Sequence, residues 1–304
     1  MKSIIERTRC PFCKNKGQQL PHLPLYLHCS VCRLAWVKRF VIPTYEEKYY
    51  QGTSPLASKL LKPVSTFFYL IRSLYVGTEQ KKLWIDVGAG DGSFLKTVRA
   101  EKKIGVEVSA SARRLMKDAG IATLTDEEFL KKNNLNADVI SFWHVLEHVP
   151  NPWDYIAASK KNLIPKHGRL VIGVPNIDCL EYYVFGSHWF HTPKFHIWEN
   201  TPVSIELLLK QYGFKVESID YWSPEHHLPC LLQTFINAST GSQGALHRFI
   251  RRGHDATFRP KDAFWSIFWL TVGSPIVILF WIAGSLMHKS GTIVVTAAHE
   301  KKKN

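Results

Sequence analysis

A short apolar run followed at once by alternating glycines constrains the fold of this chain more than any other feature. Leu83–Val87 predicts a buried strand, and the glycines that follow predict a tight turn into a helix. Without Cβ atoms, Gly88, Gly90 and Gly92 let the backbone turn sharply and approach a ligand closely. Asp86 lies at the carboxyl end of this strand, where open α/β sheets bind their ligands.

A second apolar segment, Ile104–Val108, contains an acid roughly twenty residues after the first strand. At this spacing the carboxylate of a Rossmann-type unit reaches a ribose diol, and Glu107 can accept hydrogen bonds from both hydroxyls. The spacing therefore predicts a nucleotide-like cofactor. The alternative for Glu107 is a solvated strand end.

The residues of the glycine turn differ from the usual dinucleotide pattern G-x-G-x-x-G. The order D-V-G-A-G-D-G over residues 86–92 resembles motif I of the class I S-adenosylmethionine (SAM)-dependent methyltransferases. Ala137–Trp143 and Gly168–Asn176 resemble the fourth and fifth strands of that family. The H-V-L-E-H-V segment, His144–Val149, resembles a subgroup with many enzymes of cell-surface polysaccharide and natural-product pathways.

The resemblance implies an α/β fold with a Rossmann-like seven-stranded sheet and SAM as the cofactor. It implies that four residues line the methionine part of the cofactor: Asp86, Gly88, Gly90 and Gly92. Glu107 would then hold the ribose, and His144 would lie near the sulfonium. The adenine contact is expected near Thr125 or Asp126.

Four cysteines near the N-terminus have the spacing of a zinc site. They form the pattern C-x2-C-x15-C-x2-C and are Cys10, Cys13, Cys29 and Cys32. Four thiolates close the shell of a tetrahedral ion, so the pattern predicts a structural zinc ion in a zinc-ribbon-like module. A redox dithiol is the alternative. Cys179 and Cys230 are expected to be ordinary buried or free thiols.

An aromatic, histidine-rich insertion, Phe185–Trp198, is expected to contact the substrate. Aromatic faces suit sugar rings, and histidine suits proton transfer near neutral pH. The insertion resembles the family segment F-G-x-x-W…P-x-H, and in related sugar C-methyltransferases the comparable H-E-H ends in a base. Lys194–His196 keeps the histidine and lacks the glutamate. His196 and His148 are therefore the catalytic candidates, His191 is a weaker one, and an orienting or structural role for His196 stays open.

An uncharged apolar stretch, Ala263–Met287, is long enough to span a bilayer as one helix. However, Phe214–Tyr221 and Gly291–Ala298 predict the sixth and seventh strands, which share one sheet in this fold. A single crossing would separate them. Gly273–Pro275 supplies a break, so the sequence predicts a re-entrant or interfacial helical hairpin at the cytoplasmic face of the inner or plasma membrane. A buried helical pair or a dimer face is the alternative.

Basic residues outnumber acidic ones, with 39 Lys+Arg against 25 Asp+Glu and a net charge of +14. This balance favours an acidic partner, which can be nucleic acid, an anionic membrane or a phosphorylated substrate. Basic residues flank the apolar stretch on both sides: Arg248, Arg251, Arg252, Arg259, Lys261, His288, Lys289 and Lys301–Lys303. Their clustering favours anionic lipid, and the lack of an Asn-Pro-Pro-Tyr-like motif argues against nucleic acid. Met1–Arg9 lacks the apolar core of a secretory signal.

The predicted organisation has four parts. They are a zinc-binding module (1–42), a linker and leading helix (43–80), a methyltransferase domain (81–225 and 288–300), and a basic segment with a membrane-associated hairpin (226–287). Tyr45–Gly52 loosely resembles a tyrosine-rich segment that follows similar modules. The sequence predicts SAM-dependent methylation, at a hydroxyl rather than a carbon, of a glycan or lipid-linked saccharide. A quinone-type O-methyltransferase, an RNA methyltransferase and a non-catalytic methyltransferase-like partner subunit are the alternatives.

Overall fold

The computed structural model describes residues 4–41, 55–191, 196–252 and 258–300. The tyrosine-rich segment Tyr45–Gly52 lies outside the described residues, as do Lys194 and Phe195 of the aromatic insertion.

Five short strands form the N-terminal part: β1 (Ile4–Glu6), β2 (Gln18–Leu20), β3 (Leu23–His28), β4 (Ala35–Val37) and β5 (Arg39–Val41). β1 pairs antiparallel with β5, while β2, β3 and β4 form an antiparallel sheet. A fourth strand, β11 (Trp198–Glu199), joins that sheet from the aromatic insertion and places Trp198 opposite Trp36. The N-terminal part is thus continuous with the insertion predicted to contact substrate.

The central sheet has seven strands: β6 (Lys81–Val87), β7 (Ala100–Val106), β8 (Ala122–Leu124), β9 (Val139–Trp143), β10 (Arg169–Pro175), β12 (Phe214–Asp220) and β13 (Thr292–His299). Their order is β12-β13-β10-β9-β6-β7-β8. β13 is antiparallel to both β10 and β12, and the other pairings are parallel. The predicted α/β fold with a seven-stranded sheet is confirmed, including the antiparallel seventh strand between the fifth and the sixth.

Eleven helices are described: α1 (Pro55–Leu74), α2 (Ser93–Thr97), α3 (Ala110–Asp118), α4 (Asp126–Lys131), α5 (Pro152–Asn162), α6 (Leu180–Phe185), α7 (Pro202–Gln211), α8 (Pro224–Thr240), α9 (Ala245–Arg252), α10 (Pro260–Leu270) and α11 (Ser274–Leu286). Successive residues of a strand point to opposite faces, so the sheet is buried on both sides. Ile85 belongs to the core that α5 and α7 cover. Its neighbour Trp84 packs on the other face with Phe94 of α2 and Met116 of α3.

The predicted apolar hairpin is a bent helix pair, α10 and α11, with a bend of 66°. A bend of this size falls short of the full reversal of a hairpin. Of the helices described, none is long and apolar enough alone to cross a bilayer, and this pair meets that requirement only when taken together. On the inner side Trp269 donates to Ser239 Oγ of α8 at 2.9 Å, and Val277 packs on Phe235. The outer side leaves large apolar side chains exposed: Phe264, Ile267, Leu270, Ile276, Ile278, Leu279 and Leu286.

Candidate active site

The glycine turn after β6 has the backbone conformation that the sequence predicts. Gly88, Gly90 and Gly92 have φ values of 74°, 56° and 74°, which side chains other than glycine rarely adopt. A Cβ on Gly88 would lie 2.3 Å from Val145 Cγ2, whereas a Cβ on Gly90 would meet nothing within 4 Å. Gly88 therefore permits close packing beneath the turn, and Gly90 faces open space in which a ligand can bind.

The Glu107 carboxylate follows β7 directly and holds the turn in place. Its Oε2 accepts a hydrogen bond from the Gly90 amide at 2.9 Å, and its Oε1 accepts one from the Ser109 amide at 3.0 Å. Glu107 is only 2% exposed, so the alternative of a solvated strand end is wrong. Each carboxylate oxygen can accept a further hydrogen bond.

The expected adenine region lies just after β8. Thr125 caps α4 by accepting a hydrogen bond from the Glu128 amide at 3.2 Å. Asp126 accepts a hydrogen bond from the Tyr155 hydroxyl at 2.5 Å, and burial raises the pKa of Asp126. The Thr125 hydroxyl is thus used in the helix cap. The Asp126 carboxylate lies close enough to Glu107 for the charge of Glu107 to raise the pKa of Asp126.

Asp86 is the last acceptor in a buried chain of hydrogen bonds. The Trp84 indole donates to Ser141 Oγ at 2.9 Å, and that hydroxyl donates to Asp86 Oδ1 at 2.6 Å. Burial raises the pKa of Asp86 to about 7, although the Ser141 hydrogen bond and the charge of Arg72 oppose the rise. The Asp86 carboxyl is thus close to a balance between its neutral and charged forms at neutral pH.

Sequence reasoning missed a half-buried arginine near Asp86. Arg72 of α1 lies over the Trp143 ring, 4.8 Å from its centroid, and donates a hydrogen bond to His226 of α8. Glu225 is also buried here, and neither of its carboxylate oxygens has a hydrogen-bond partner among the described residues. The available signal was the charge of Arg72, which follows directly after the apolar run Phe67–Ile71.

The two catalytic candidates, His148 and His196, lie together beside β9. Their ring centroids are 4.7 Å apart, and one ligand atom from each, with one from Glu147, lies within 4.8 Å of the others. His144, at a positive φ of 56°, places its Nδ1 3.1 Å from Glu147 Oε1. The predicted His144 is thus connected to the histidine pair through one carboxylate.

A second carboxylate, Glu199, was missed by sequence reasoning. Its Oε1 lies 2.8 Å from His196 Nδ1. The available signal was spacing, because Glu199 follows His196 by three residues just as Glu147 follows His144. His191, the weaker candidate, is buried, and its ring stacks toward His144 at a centroid distance of 5.9 Å.

The two buried carboxyls differ in charge. Burial opposes ionisation of Glu147, but His144, His148 and His196 outweigh it and lower the pKa of Glu147 to about 2. Burial, with the nearby Glu147, raises the pKa of Glu199 well above its usual range. Burial also lowers the pKa of His196. Glu147 therefore favours its charged form, whereas the surroundings of Glu199 and His196 favour their neutral forms.

The N-terminal part fixes the position of this cluster. Tyr26 of β3 donates its hydroxyl to the His196 carbonyl at 3.1 Å. The Ile197 amide donates to the Glu147 carbonyl at 2.7 Å, and Glu199 lies in β11 opposite Ala35 of β4. Residues 196–199 of the insertion are thus bound to both the N-terminal sheet and the loop after β9.

The four N-terminal cysteines converge on one point. One sulfur from each of Cys10, Cys13, Cys29 and Cys32 lies within 4.8 Å of the others. The Lys14 and Arg33 amides donate to the carbonyls of Cys10 and Cys29, and both residues have a positive φ, 61° and 57°. Each pair thus forms a tight turn with both thiols on one side. All four are free thiols, and the cluster can hold one metal ion.

A family comparison decides the class of this protein. The model of a methyltransferase domain family matches residues 65–219, which include the glycine turn, Glu107 and the pair His148 and Glu147. The chain belongs to this methyltransferase domain family. It is a methyltransferase, as the sequence predicted. Comparison with curated protein sequences finds no match.

Solved methyltransferase structures share the fold at low sequence identity. A chain of the complex between the Haloferax volcanii Trm112 methyltransferase activator and a methyltransferase is 11% identical, with a TM-score of 0.51 over 85% of this chain and 100% of that chain. A SAM-dependent methyltransferase from Archaeoglobus fulgidus is 14% identical (TM-score 0.46; 80% and 97% covered). Phosphoethanolamine N-methyltransferase 2 of Haemonchus contortus, solved with SAM, is 12% identical (TM-score 0.47; 88% and 63% covered). At these identities the likeness concerns the fold alone.

We predict that Gly88→Ala weakens SAM binding by at least about tenfold, or about 1.4 kcal/mol, when measured by calorimetry. The new Cβ would lie 2.3 Å from Val145 Cγ2, so the turn must shift. Gly77→Ala is the matched control, because Gly77 has a similar φ of +81° and nothing lies within 4 Å of its Cβ position. Adding Val145→Ala to Gly88→Ala should recover part of the affinity. Equal affinities for the Gly88 and Gly77 variants would contradict this account of the turn.

We also predict that SAM affinity rises about tenfold between about pH 6 and pH 8. The expected sign follows from Asp86, whose pKa is raised to about 7 and whose charged form attracts the cofactor's ammonium. As pH rises through this value the carboxyl loses its proton, and binding strengthens. Asp86→Asn should bind weakly and with a flatter pH profile. A wild-type profile that the Asn variant reproduces would assign the titration to another group.

Proposed function

We propose that this methyltransferase transfers the methyl group of SAM to a hydroxyl of a glycan or lipid-linked saccharide at the cytoplasmic face of a membrane. The observation that carries the proposal is the exposed apolar side of α10 and α11, which basic residues flank. The histidine and carboxylate cluster beside β9 supplies groups suited to a hydroxyl acceptor. Each part of the proposal rests on different residues.

The residues around the glycine turn fit SAM. The open space at Gly90 admits a ligand against the backbone, and Glu107 can accept hydrogen bonds from ribose hydroxyls. Asp86 offers a carboxylate for the ammonium, and Arg72 a guanidinium for the carboxylate of the methionine part. His144 Nε2 has no hydrogen-bond partner within the described chain and would face the sulfonium end. When bound, SAM supplies an electrophilic methyl group on a positive sulfur.

The acceptor's proton would be taken by the histidine pair. His196 is neutral because burial lowers its pKa, and a neutral imidazole can accept a proton. Its Nδ1 is held by Glu199, which fixes the ring, and the half-buried His148 lies at the same place. Reaction then depends mainly on positioning, which the loop after β9 and β11 provide through their backbone hydrogen bonds.

The cysteine cluster would bind a structural zinc ion. Four thiolates satisfy the tetrahedral preference of zinc and leave no position for water. In this proposal residues 1–42 act as a zinc module, 81–225 with 288–300 as the catalytic unit, and 226–287 as the membrane-facing part. The module's role would be to support β11 and thereby His196.

Anionic lipid is the partner that the bent helix pair fits best. Ile267 and Leu279 are 63% and 65% exposed, and further apolar residues surround them on the outer side. Arg259 and Lys261 precede the pair and Lys289 follows it, so basic residues border the apolar surface. Arg259 is paired with Asp262 and Lys289 with Asp178, and Lys261 donates to the Thr240 carbonyl. Apolar area bordered by basic residues favours a bilayer with anionic headgroups. A lipid-linked acceptor would then reach the site from the membrane.

Three alternatives make different predictions. A quinone-type O-methyltransferase would also use the membrane surface, and the aromatic insertion favours a sugar over a quinone. An RNA methyltransferase would place its basic residues around the site, whereas here they border the apolar side of α10 and α11. A non-catalytic partner subunit would have no need of an intact glycine turn and Glu107.

We predict that the protein binds anionic vesicles and transfers labelled methyl from SAM into a lipid extract of the source cells. Ile267→Gln with Leu279→Gln should release it from vesicles, because both side chains are exposed on the outer side of the pair. Leu115→Gln with Leu207→Gln is the matched control, since these leucines are 53% and 40% exposed on α3 and α7. Co-sedimentation and label in the extracted lipid are the two measurements.

The outcomes separate the parts of the proposal. Loss of co-sedimentation in the first double variant alone supports a membrane-facing helix pair. Equal binding by both double variants contradicts it. Methyl label in a water-soluble or RNA fraction, with none in lipid, would show that the proposed acceptor class is wrong and that the protein is nevertheless an active methyltransferase.

A further inference from the structure

We infer that Glu147, His148 and His196 bind a divalent transition-metal ion, apart from the cysteine cluster, at which the acceptor hydroxyl coordinates. The inference deepens the proposed function and rests on it for the identity of the acceptor. With the ion bound, the two histidines would be ligands and would no longer take the acceptor's proton themselves, because the ion would lower the pKa of the acceptor hydroxyl.

The three side chains already surround a common point. One ligand atom from each lies within 4.8 Å of the others. An ion with bonds of about 2.0–2.2 Å needs ligand atoms roughly 3–3.5 Å apart, so modest side-chain rotations complete the site. Glu147 and His196 are buried and His148 is half-buried, which leaves the His148 side as the approach for an acceptor.

A neighbouring side chain holds one atom of each buried ligand. His144 Nδ1 lies 3.1 Å from Glu147 Oε1, while Glu147 Oε2 has no hydrogen-bond partner among the residues described. Glu199 Oε1 lies 2.8 Å from His196 Nδ1, so Nε2 is the nitrogen that would bind the ion, in place of its contact with the His191 backbone. A carboxyl group that orients the far nitrogen of a ligating histidine is the usual support of a metal site.

The backbone holds the two ligand segments together without an ion. The amides of Ile197 and Trp198 both donate to the Glu147 carbonyl, at 2.7 and 3.2 Å. The Tyr26 hydroxyl holds the His196 carbonyl at 3.1 Å. The donor set is therefore positioned by the fold, and binding requires little ordering of the chain.

The ligand types indicate the class of ion and its role. Two imidazoles and one carboxylate suit Zn²⁺, Fe²⁺ or Co²⁺ better than Mg²⁺ or Ca²⁺, which prefer oxygen ligands. Three protein ligands leave positions open, as in catalytic sites, whereas four cysteines close the shell. The chain would thus carry one structural and one reactive site of different chemistry.

An ion here would act on the acceptor as a Lewis acid. A hydroxyl oxygen bound at an open position loses its proton to solvent more readily. That oxygen then forms the bond to the methyl carbon while the carbon–sulfur bond breaks, and the sulfur becomes a neutral thioether. The products are a methyl ether, S-adenosylhomocysteine and one proton, so the step needs no oxidant or reductant.

Cobalt substitution of the full-length protein tests the site without an acceptor. We expect Co²⁺ at the cysteines to show thiolate charge-transfer absorption and a second Co²⁺ ion per chain to bind without it. His148→Ala and Glu147→Gln should lose the second ion and keep the first. Glu199→Ala, which removes the group beside His196 Nδ1, should weaken binding of the second ion by roughly 10–100-fold.

His167→Ala is the matched control, because His167 is exposed on the turn before β10 and should leave both ions in place. Retained thiolate absorption and SAM binding show that a variant is folded. A wild-type protein that binds only the cysteine-site ion would overturn the inference, as would a second ion that His148→Ala and Glu147→Gln both retain. Methyl transfer into lipid by a protein that binds no second ion would contradict the metal site but not the proposed function. Binding of a second ion without methyl transfer into lipid would support the metal site and contradict the proposed lipid-linked acceptor.

Discussion

The antiparallel pairing of β4 with β11 is the contact on which the acceptor side of this protein depends. It places Trp198 opposite Trp36 and Glu199 opposite Ala35, and it holds His196 against the loop that carries Glu147. The buried rings of both tryptophans share one cluster with the cysteines. The N-terminal module is therefore part of the wall of the candidate site rather than an attached domain.

The cofactor side is built differently. The glycine turn, Glu107 and Asp86 all come from β6, β7 and the connections that follow them. Glu107 holds the turn, and Ser141 of the neighbouring β9 holds Asp86. Two halves with separate supports meet at His144, whose Nδ1 contacts Glu147 while its Nε2 lacks a partner in the described structure. Under the proposed function, this division would let one part of the chain hold SAM while another part determines which acceptor is methylated.

Local patterns predicted the sheet and the cofactor side because each of their signals lies within a few residues. Apolar runs gave the strands, alternating glycines gave the turn, and cysteine spacing gave the cluster. Arg72 and Glu199 could not be predicted in this way, since helix α1 and strand β11 bring them to the site from distant positions. The angle between α10 and α11 was predicted wrongly, since a hairpin reverses the chain and the observed bend is 66°. Hydropathy and a proline indicate where a helix breaks but not the angle of the break, which here follows packing on α8.

Hydrogen exchange on a Cys10→Ser variant tests most directly whether the N-terminal module supports the acceptor side independently of the cofactor side. The account predicts that the Ile197 and Trp198 amides, which donate to the Glu147 carbonyl, lose protection when the cysteine cluster is disrupted. SAM affinity should stay within about twofold of the wild type, because the glycine turn has its own support. Unchanged protection of those two amides, or loss of SAM binding together with the cluster, would contradict it.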